Sequence, residues 1–420
     1  MEPSRLSSIR EQAERAKGAK AGLAALDRAQ KDRALAAIAR ELRARVADIQ
    51  RENELDLAAA RAAGLAPALI DRLRMDPKGV EATARAVEHV MTLADPVASR
   101  GPMQRLPSGI QVGRQRLPLG VIAIIYESRP NVTVDAATLC LKSGNAVLLR
   151  GGKEAAHTNR VLGGIIASAL ASSGLNPEAV QIIPAGDRDG VRELVSLTGL
   201  IDLAIPRGGE GLIRFVVEHA RVPVVQHFLG VCHLFLDQGC DVDMARALAL
   251  DGKVRRPGVC NALECLLVHA DDAARLLPPV ARALIAEGVE LRGDARACEL
   301  VPEAKAATDA DWGKEYLAKI LAVRVVSDLD GALAHVARYG SNHSEAICTD
   351  SFSHAERWLR EVDASCVLVN ASTRFNDGGE LGLGAEIGIS TTKLHAYGPM
   401  GLESLTAEKW VVIGGGQIRG

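Results

Sequence analysis

Short apolar runs that alternate with helix-forming segments set the fold class of this chain. The runs 120–126 and 146–150 are rich in aliphatic and β-branched residues, and segments of helical character follow them at 132–142 and 158–172. A strand that is apolar along its whole length is typical of a parallel sheet covered by helices on both faces. Strands separated by helices form right-handed βαβ units. The sequence therefore predicts an α/β fold that begins near residue 119.

The same alternation predicts two blocks of sheet, with other structure before and after them. The remaining predicted strands are 180–184, 200–205 and 222–225 in the first block, and 263–268, 323–326, 346–348 and 366–369 in the second. Residues 1–95 consist largely of strong helix formers and are predicted to be helical. Two alternating runs around Ser108 and Gly109 predict a hairpin over 101–117. Residues 409–413 predict one more strand, either exposed or paired with a partner chain.

Composition narrows the class of partner. The 420 residues carry a net charge of −2 and only 3% aromatic residues, which argues against nucleic-acid binding. No uncharged apolar run is long enough to span a membrane, and the first residues lack the apolar core of a signal peptide. The eight cysteines form no C-x-x-C pair and no zinc-ligand spacing, which is typical of reduced thiols. We therefore expect a cytoplasmic protein with no metal, no membrane partner and no nucleic-acid partner.

Cys260 is the candidate nucleophile. It follows Arg255, Arg256 and a Pro-Gly turn, and an apolar strand is predicted directly after it. Nearby positive charge lowers the pKa of a thiol and so favours the thiolate, which is its nucleophilic form. The alternative, from these residues alone, is a buried and inert cysteine at the start of a strand.

Polar and Gly-rich turns follow several predicted strands. The turn 150–153 and the turn 206–211 come after two of them, and the second turn opens a helix whose N-terminus can bind a phosphate. Neither matches G-x-G-x-x-G, so two ordinary tight loops are the alternative. Asn131 precedes the helix 132–142. Its amide suits an oxyanion site or a helix cap, and its spacing alone favours the cap.

Several long motifs occur in the order found in the gamma-glutamyl phosphate reductases, also called glutamate-5-semialdehyde dehydrogenases, of the aldehyde dehydrogenase superfamily. These motifs are 118–133, 141–152, 256–261, 370–375, 384–390, 393–396 and 398–401. The chain resembles this family from about residue 10 to its C-terminus. The resemblance implies an aldehyde-dehydrogenase-like fold, in which two α/β domains with parallel sheets carry a small β oligomerisation arm.

The implied domains are discontinuous in sequence. A dinucleotide-binding domain is expected at 1–100, 118–245 and 377–395, and a catalytic domain at 246–376. The arm is expected at 101–117 and 396–420, which implies a homodimer or a homotetramer.

The resemblance also implies roles for individual residues. Cys260 matches the family's catalytic cysteine, and Glu315 matches the glutamate that binds the nicotinamide ribose. Asn131 matches the asparagine that stabilises the oxyanion, so the resemblance favours this role over a helix cap. The expected cofactor contacts on the two Gly-rich turns are Arg150, Lys153, Gly208 and Gly209. Three arginines are candidates for binding the substrate's phosphate or α-carboxylate, since a guanidinium fork fits either group: Arg255, Arg256 and Arg374. For each of them, the alternative is a surface ion pair.

The activity that the resemblance implies is NADPH-dependent reduction of L-glutamate 5-phosphate through a Cys260 thioester, in proline biosynthesis, with functional coupling to glutamate 5-kinase. Hydrolytic aldehyde dehydrogenases activate water with a glutamate, and the corresponding segment here, 226–233, has no carboxylate. Cys232 and His233 in this segment are expected to be an inert thiol and a satisfied histidine. The alternatives are a related dehydrogenase of another small semialdehyde and an inactive nucleotide-binding protein.

Overall fold

The computed structural model describes residues 8–419, except for the side chain of Ala68, and residues 1–7 and 420 lie outside the described part. The chain forms two compact units. The first contains the described residues up to Gln226, together with Leu383–Gly388 and the described residues from Met400 onward. The second contains His227–Gly382 and Ile389–Pro399. The division falls after Gln226, and the domain boundary after residue 245 that the family resemblance implies stays a prediction.

The first unit opens with five helices, as predicted for residues 1–95. They are α1 (Ile9–Ala24), α2 (Arg28–Ala44), α3 (Val46–Ala62), α4 (Pro67–Leu73) and α5 (Pro77–Thr92). The apolar residues Leu35, Leu42 and Ile49 are fully buried and are shared between α2 and α3. The backbone leaves the helical region at Arg45, with φ −110° and ψ 26°, and this residue divides α2 from α3. The hairpin β1 (Gln104–Arg105) and β2 (Gln111–Pro118) comes next and is antiparallel, as predicted.

A parallel sheet of four strands forms the centre of the first unit. Its strands are β3 (Val121–Tyr126), β4 (Ala146–Arg150), β5 (Val180–Ile182) and β6 (Leu203–Arg207), in the order β5-β4-β3-β6. The helices α6 (Asn131–Lys142), α7 (Ala156–Ser172), α8 (Arg188–Ser196) and α9 (Glu210–His219) complete the predicted alternation. The predicted strand at 222–225 is wrong, because only Val224 forms an isolated bridge, to Ala204.

The second unit is built on a parallel sheet of seven strands. They are β7 (Cys232–Leu236), β8 (Leu263–His269), β9 (Glu290–Gly293), β10 (Lys305–Ala306), β11 (Ile320–Val326), β12 (Ser344–Cys348) and β13 (Cys366–Val369), in the order β10-β9-β11-β8-β7-β12-β13. The helices are α10 (Val242–Val254), α11 (Ala273–Ala286), α12 (Ala295–Leu300), α13 (Leu329–Tyr339) and α14 (Phe352–Glu361). All four predicted strands are present, and β7, β9 and β10 were not predicted.

The remaining strands lie near the C-terminus. β14 (Gly388–Ser390) pairs with β15 (Gly398–Met400), and β16 (Thr406–Ile413) pairs with β2 to form a three-stranded antiparallel sheet with the hairpin. The strand predicted at 409–413 therefore pairs within its own chain, and Trp410 on it is 63% exposed. Among the helices of residues 8–419, none is long and apolar enough to cross a membrane.

Candidate active site

Cys260 lies in the second unit, on the turn that joins α10 to β8. The Ala262 N–H donates to the Val259 carbonyl at 3.0 Å and closes this turn. A side chain at Gly230 would overlap the Cys260 carbonyl, so glycine is needed where the segment 226–233 packs on the turn. From the same segment, the Cys232 thiol donates to the Cys260 carbonyl at 3.2 Å. Cys260 itself is partly buried.

Hydrogen bonds from Asn261 join the Cys260 turn to the segment 373–376. The Asn261 side-chain amide donates to the carbonyl of Asn376 at 3.0 Å and to that of Arg374 at 3.3 Å. In the opposite direction, the Thr373 hydroxyl donates to the Asn261 carbonyl at 2.8 Å. The fold thus brings Arg374, which is distant in sequence, next to the proposed nucleophile.

His343 adjoins the same network and was not singled out from the sequence. The Asn376 amide donates to the His343 carbonyl at 3.2 Å and to the Ser344 hydroxyl at 2.8 Å. Burial, with a contribution from His227, lowers the pKa of His343 to about 3, so its imidazole is neutral at pH 7. One ring nitrogen each of His227 and His343 lies within 4.8 Å of the Cys260 sulfur.

Buried polar atoms without partners gather around Cys260. Among the described residues, no hydrogen-bond partner is present for Asn261 Oδ1, His343 Nε2, Arg374 Nε or Asn376 Oδ1. Buried polar groups in folded proteins are nearly always paired. A group of unpaired atoms around a cysteine therefore indicates a place where a polar ligand binds.

A buried ion pair fixes the two elements that flank the turn. Lys253, near the end of α10, contacts Glu264 in β8 with Nζ and Oε2 2.6 Å apart, and both side chains are fully buried. The Leu317 N–H also donates to Glu264, at 3.2 Å. Burial raises the pKa of Glu264 and lowers that of Lys253. The Glu264 carboxylate is thus engaged with Lys253 rather than directed at the substrate.

The other predicted site residues of the second unit are Glu315, on an irregular segment, and two exposed arginines. Glu315 is partly buried on an irregular segment before β11. The Arg255 side chain is 77% exposed, and its guanidinium nitrogen lies 3.4 Å from an Asp251 carboxylate oxygen. This is the surface ion pair that the sequence analysis gave as the alternative to substrate binding. Arg256 is exposed.

Asn131 lies in the first unit and does not cap a helix. Pro130 occupies the cap position of α6, Asn131 is its first residue, and no side chain caps the helix. The Asn131 amide donates instead to the Asp135 carboxylate at 2.9 Å. Burial raises the pKa of Asp135 to about 6. Asp135, which sequence reasoning missed, therefore orients an amide that carries two donor hydrogens.

The predicted cofactor residues follow strands at one edge of the first unit's sheet. Arg150 and Lys153 follow β4, Gly208 and Gly209 follow β6, and β3 lies between these two strands. The Arg150 guanidinium donates to the Asp187 carbonyl at 3.0 Å.

The N-terminus of α9 already binds a carboxylate. The Gly209 N–H donates to Glu127 at 2.9 Å, which shows that this helix end attracts an anion. Elsewhere in the first unit, a cavity of about 600 Å³ lies beside α1, α7 and β5, lined in part by Gln12, Asn159 and Ile182.

Comparison with known proteins identifies relatives of this chain by sequence and by fold. The family model described as "Aldehyde dehydrogenase family" matches residues 4–290. A gamma-glutamyl phosphate reductase of Sorangium cellulosum is 62% identical over 98% of each chain, and one of Desulfatibacillum aliphaticivorans is 55% identical over 93% of each. The crystal structure of gamma-glutamyl phosphate reductase from Thermotoga maritima superposes with a TM-score of 0.97 at 42% identity, covering 99% of this chain and 100% of that one.

The chain therefore belongs to the aldehyde dehydrogenase family. Within that family it belongs to the gamma-glutamyl phosphate reductases. The predicted fold class and the predicted family are both confirmed.

Removing Lys253 tests the buried pair beside the turn. We expect Lys253→Met to lower the free energy of unfolding by about 3 kcal/mol, because it leaves the Glu264 carboxylate buried without its partner. The double variant Lys253→Met/Glu264→Leu should recover most of this loss, since it removes both charges together. Urea unfolding followed by tryptophan fluorescence measures both effects.

Arg255→Ala is the control for this experiment, because its ion pair is exposed. It should change the unfolding free energy by no more than about 0.5 kcal/mol. A single variant as stable as the wild type, or a double variant no better than the single one, would contradict a structural role for the pair.

Proposed function

We propose that this chain reduces L-glutamate 5-phosphate to L-glutamate 5-semialdehyde and phosphate, with NADPH as reductant, in the second step of proline biosynthesis from glutamate. The observation that carries this function is the Cys260 turn with its unpartnered polar atoms, in a chain that belongs to the gamma-glutamyl phosphate reductases. We infer the substrate from the name of these relatives, and we infer the nucleophile from the Cys260 turn.

The reaction begins at Cys260. Its thiolate attacks the acyl carbon of the substrate, a C–S bond forms, and the carbonyl electrons move onto oxygen. By family resemblance, Asn131 and the Cys260 backbone N–H donate to that oxyanion. The oxyanion then collapses, phosphate leaves with the electrons of the C–O bond, and a thioester remains on Cys260.

The thioester is then reduced rather than hydrolysed. A bound nicotinamide cofactor in its reduced form supplies the hydride that the thioester carbon needs. Collapse of the resulting hemithioacetal returns the Cys260 thiolate and releases the semialdehyde. The segment 226–233, which packs on the Cys260 turn, holds no carboxylate to activate water. Its Cys232 is buried, and burial raises the pKa of that thiol well above its usual range, so a second nucleophile there is disfavoured.

The first unit offers a consistent place for the cofactor. The turns after β4 and β6 lie at the carboxyl ends of its parallel strands, where open α/β sheets bind ligands. We assign Arg150 and Lys153 to the 2′-phosphate, and Gly208 and Gly209 to the pyrophosphate. The Glu127 carboxylate must leave the Gly209 N–H when a pyrophosphate takes that position. Glu315 keeps the nicotinamide-ribose role that the family resemblance gives it.

Arg374 is the favoured arginine for the substrate. Its Nε is buried without a hydrogen-bond partner among the described residues, and its carbonyl is bonded to Asn261 beside Cys260. A substrate carboxylate or phosphate would supply the missing acceptor. Arg255 and Arg256 are exposed and remain candidates for a more peripheral contact with the phosphate.

Assembly and cellular setting complete the proposed function. The sheet β1-β2-β16 forms the arm of a homodimer or homotetramer, with Trp410 on its exposed surface. Because the substrate is an acyl phosphate, we also propose functional coupling to the glutamate 5-kinase that makes it. The eight free cysteines favour the cytoplasm, where thiols stay reduced.

Replacing Cys260 tests the covalent mechanism. We expect Cys260→Ala to lower turnover by at least about 10⁴-fold, because no other group forms the thioester, while NADPH binding stays unchanged. Phosphate-dependent reduction of NADP⁺ with glutamate semialdehyde measures the reverse reaction. Cys298→Ala, another partly buried cysteine, should keep full activity. More than trace activity in Cys260→Ala would refute the mechanism, and turnover without phosphate would favour a hydrolytic dehydrogenase.

Replacing Arg150 tests the choice of cofactor. Loss of a guanidinium beside the 2′-phosphate should weaken NADPH binding by about 10-fold and leave NADH binding nearly unchanged. Titration of the cofactor's fluorescence gives both affinities without turnover. Arg61→Ala, an exposed arginine paired with Glu54 on α3, is the control and should change neither affinity. An equal loss for the two cofactors would move Arg150 away from the 2′-phosphate.

Truncation tests the arm. Deleting residues 405–420 removes β16, and the edge of β2 that it covers becomes exposed. We expect a lower molar mass by light scattering together with a lower melting temperature. Deleting only 414–420, which leaves β16 whole, should preserve both values. A monomeric wild type at micromolar concentration would contradict the arm's role, as would full assembly without β16.

A further inference from the structure

Two histidines converge on the proposed nucleophile within the second unit. The Cys260 sulfur and one ring nitrogen each of His227 and His343 lie within 4.8 Å of one another. His343 is fully buried, and its Nε2 has no hydrogen-bond partner among the described residues. Cys260 and His227 are only partly buried, so the group is accessible to a small ion.

The surroundings of His343 leave one nitrogen for a ligand. Its Nδ1 lies 2.8 Å from the Ser344 hydroxyl, 3.4 Å from the Asn376 amide nitrogen and 3.7 Å from the Cys232 sulfur. Metal-binding histidines are usually oriented in this way, through a hydrogen bond to the second ring nitrogen. Nε2 is then the atom that remains for coordination.

The three donors match the preferences of one metal ion. Zn²⁺ binds thiolate sulfur and imidazole nitrogen at about 2.3 Å and 2.0–2.1 Å, in tetrahedral geometry. Ligand atoms in such a site are about 3.5 Å apart, so three atoms within 4.8 Å need to approach by roughly 1 Å. Side-chain rotation of the partly buried His227 supplies much of that movement.

We propose that His227, Cys260 and His343 bind Zn²⁺ and that the bound ion reversibly caps the nucleophile. On binding, the Cys260 thiol loses its proton to solvent, a Zn–S bond forms, and no electron is transferred. Water takes the fourth position. The sulfur lone pair that would attack the substrate is then held by the metal. Only the inhibitory consequence rests on the proposed reductase function.

A second group with the same residue types is a weaker candidate. His233, Cys265 and His335 also lie within 4.8 Å of one another, but all three are buried. Arg324 donates to His335 Nδ1 at 3.0 Å, and His335 Nε2 lies 3.6 Å from the Cys265 sulfur. A metal ion would have to reach a group that is closed to solvent, whereas Cys260 and His227 are partly exposed.

The test is a metal titration of the full chain, freed of metal by chelation, in competition with a chromophoric zinc chelator. We expect one site in the wild type. Cys260→Ala should weaken it by at least about 100-fold, and His343→Gln and His227→Gln by about 10- to 100-fold. Cys298→Ala and Cys265→Ala are controls that should keep the wild-type affinity. Circular dichroism establishes whether each variant is folded. If the buried substitution His343→Gln unfolds the protein, His227→Gln, at a partly exposed position, carries the test.

Two further measurements separate binding from inhibition. Cd²⁺ should produce a thiolate-to-metal charge-transfer band that is present in the wild type and absent in Cys260→Ala. Zn²⁺ should abolish turnover, and a chelator should restore it. The site is refuted if Cys260→Ala retains the zinc affinity or the cadmium band, or if Cys265→Ala removes them instead. Zinc binding without loss of turnover would refute the cap, whereas zinc binding as expected in a chain without reductase activity would refute only the proposed reaction.

Discussion

The site depends on the hydrogen bonds between Asn261 and the segment 373–376. They hold the Cys260 turn against a part of the chain that is more than a hundred residues away in sequence. Asn376 extends the network to His343, so one set of amide contacts positions the cysteine, a buried histidine and a partly buried arginine together. The unpaired atoms left in this network are the reason to expect a polar ligand there.

The same surroundings favour reduction of a thioester over its hydrolysis. The segment that packs against the Cys260 turn, 226–233, offers no carboxylate, and Gly230 lets its backbone approach closely. Glu264, a carboxylate that follows Cys260 closely in sequence, is paired with Lys253 inside the unit. Water near the proposed thioester therefore meets no carboxylate base from that segment. Such an environment suits an enzyme whose intermediate must wait for a hydride.

The sequence predicted most of the long apolar strands, although it missed β7 (Cys232–Leu236). β3, β4 and β8 were recognised because burial on both faces requires continuous apolar runs. β9 and β10 were missed because they are short and carry charged residues. The boundary between α2 and α3 at Arg45 carries no sequence signal, because neither glycine nor proline marks it.

The site was less predictable than the fold. The local turn chemistry pointed to Cys260, and family motifs pointed to Asn131. His343, Asn376 and Asp135 carry no local signal, because their importance comes from contacts between segments or from a bond within one helix. The pairing of β16 with β2 was also hidden, since strand partners cannot be read from either strand alone.

The central claim is that Cys260 carries the acyl group of the substrate. The most direct test incubates the enzyme with glutamate semialdehyde and NADP⁺ in the absence of phosphate, followed by acid quenching and intact-mass analysis. A covalent mechanism predicts one glutamyl adduct, mapped to the peptide that contains Cys260, which disappears when phosphate is added before the quench. Turnover without any adduct, or an adduct on another cysteine, would contradict it.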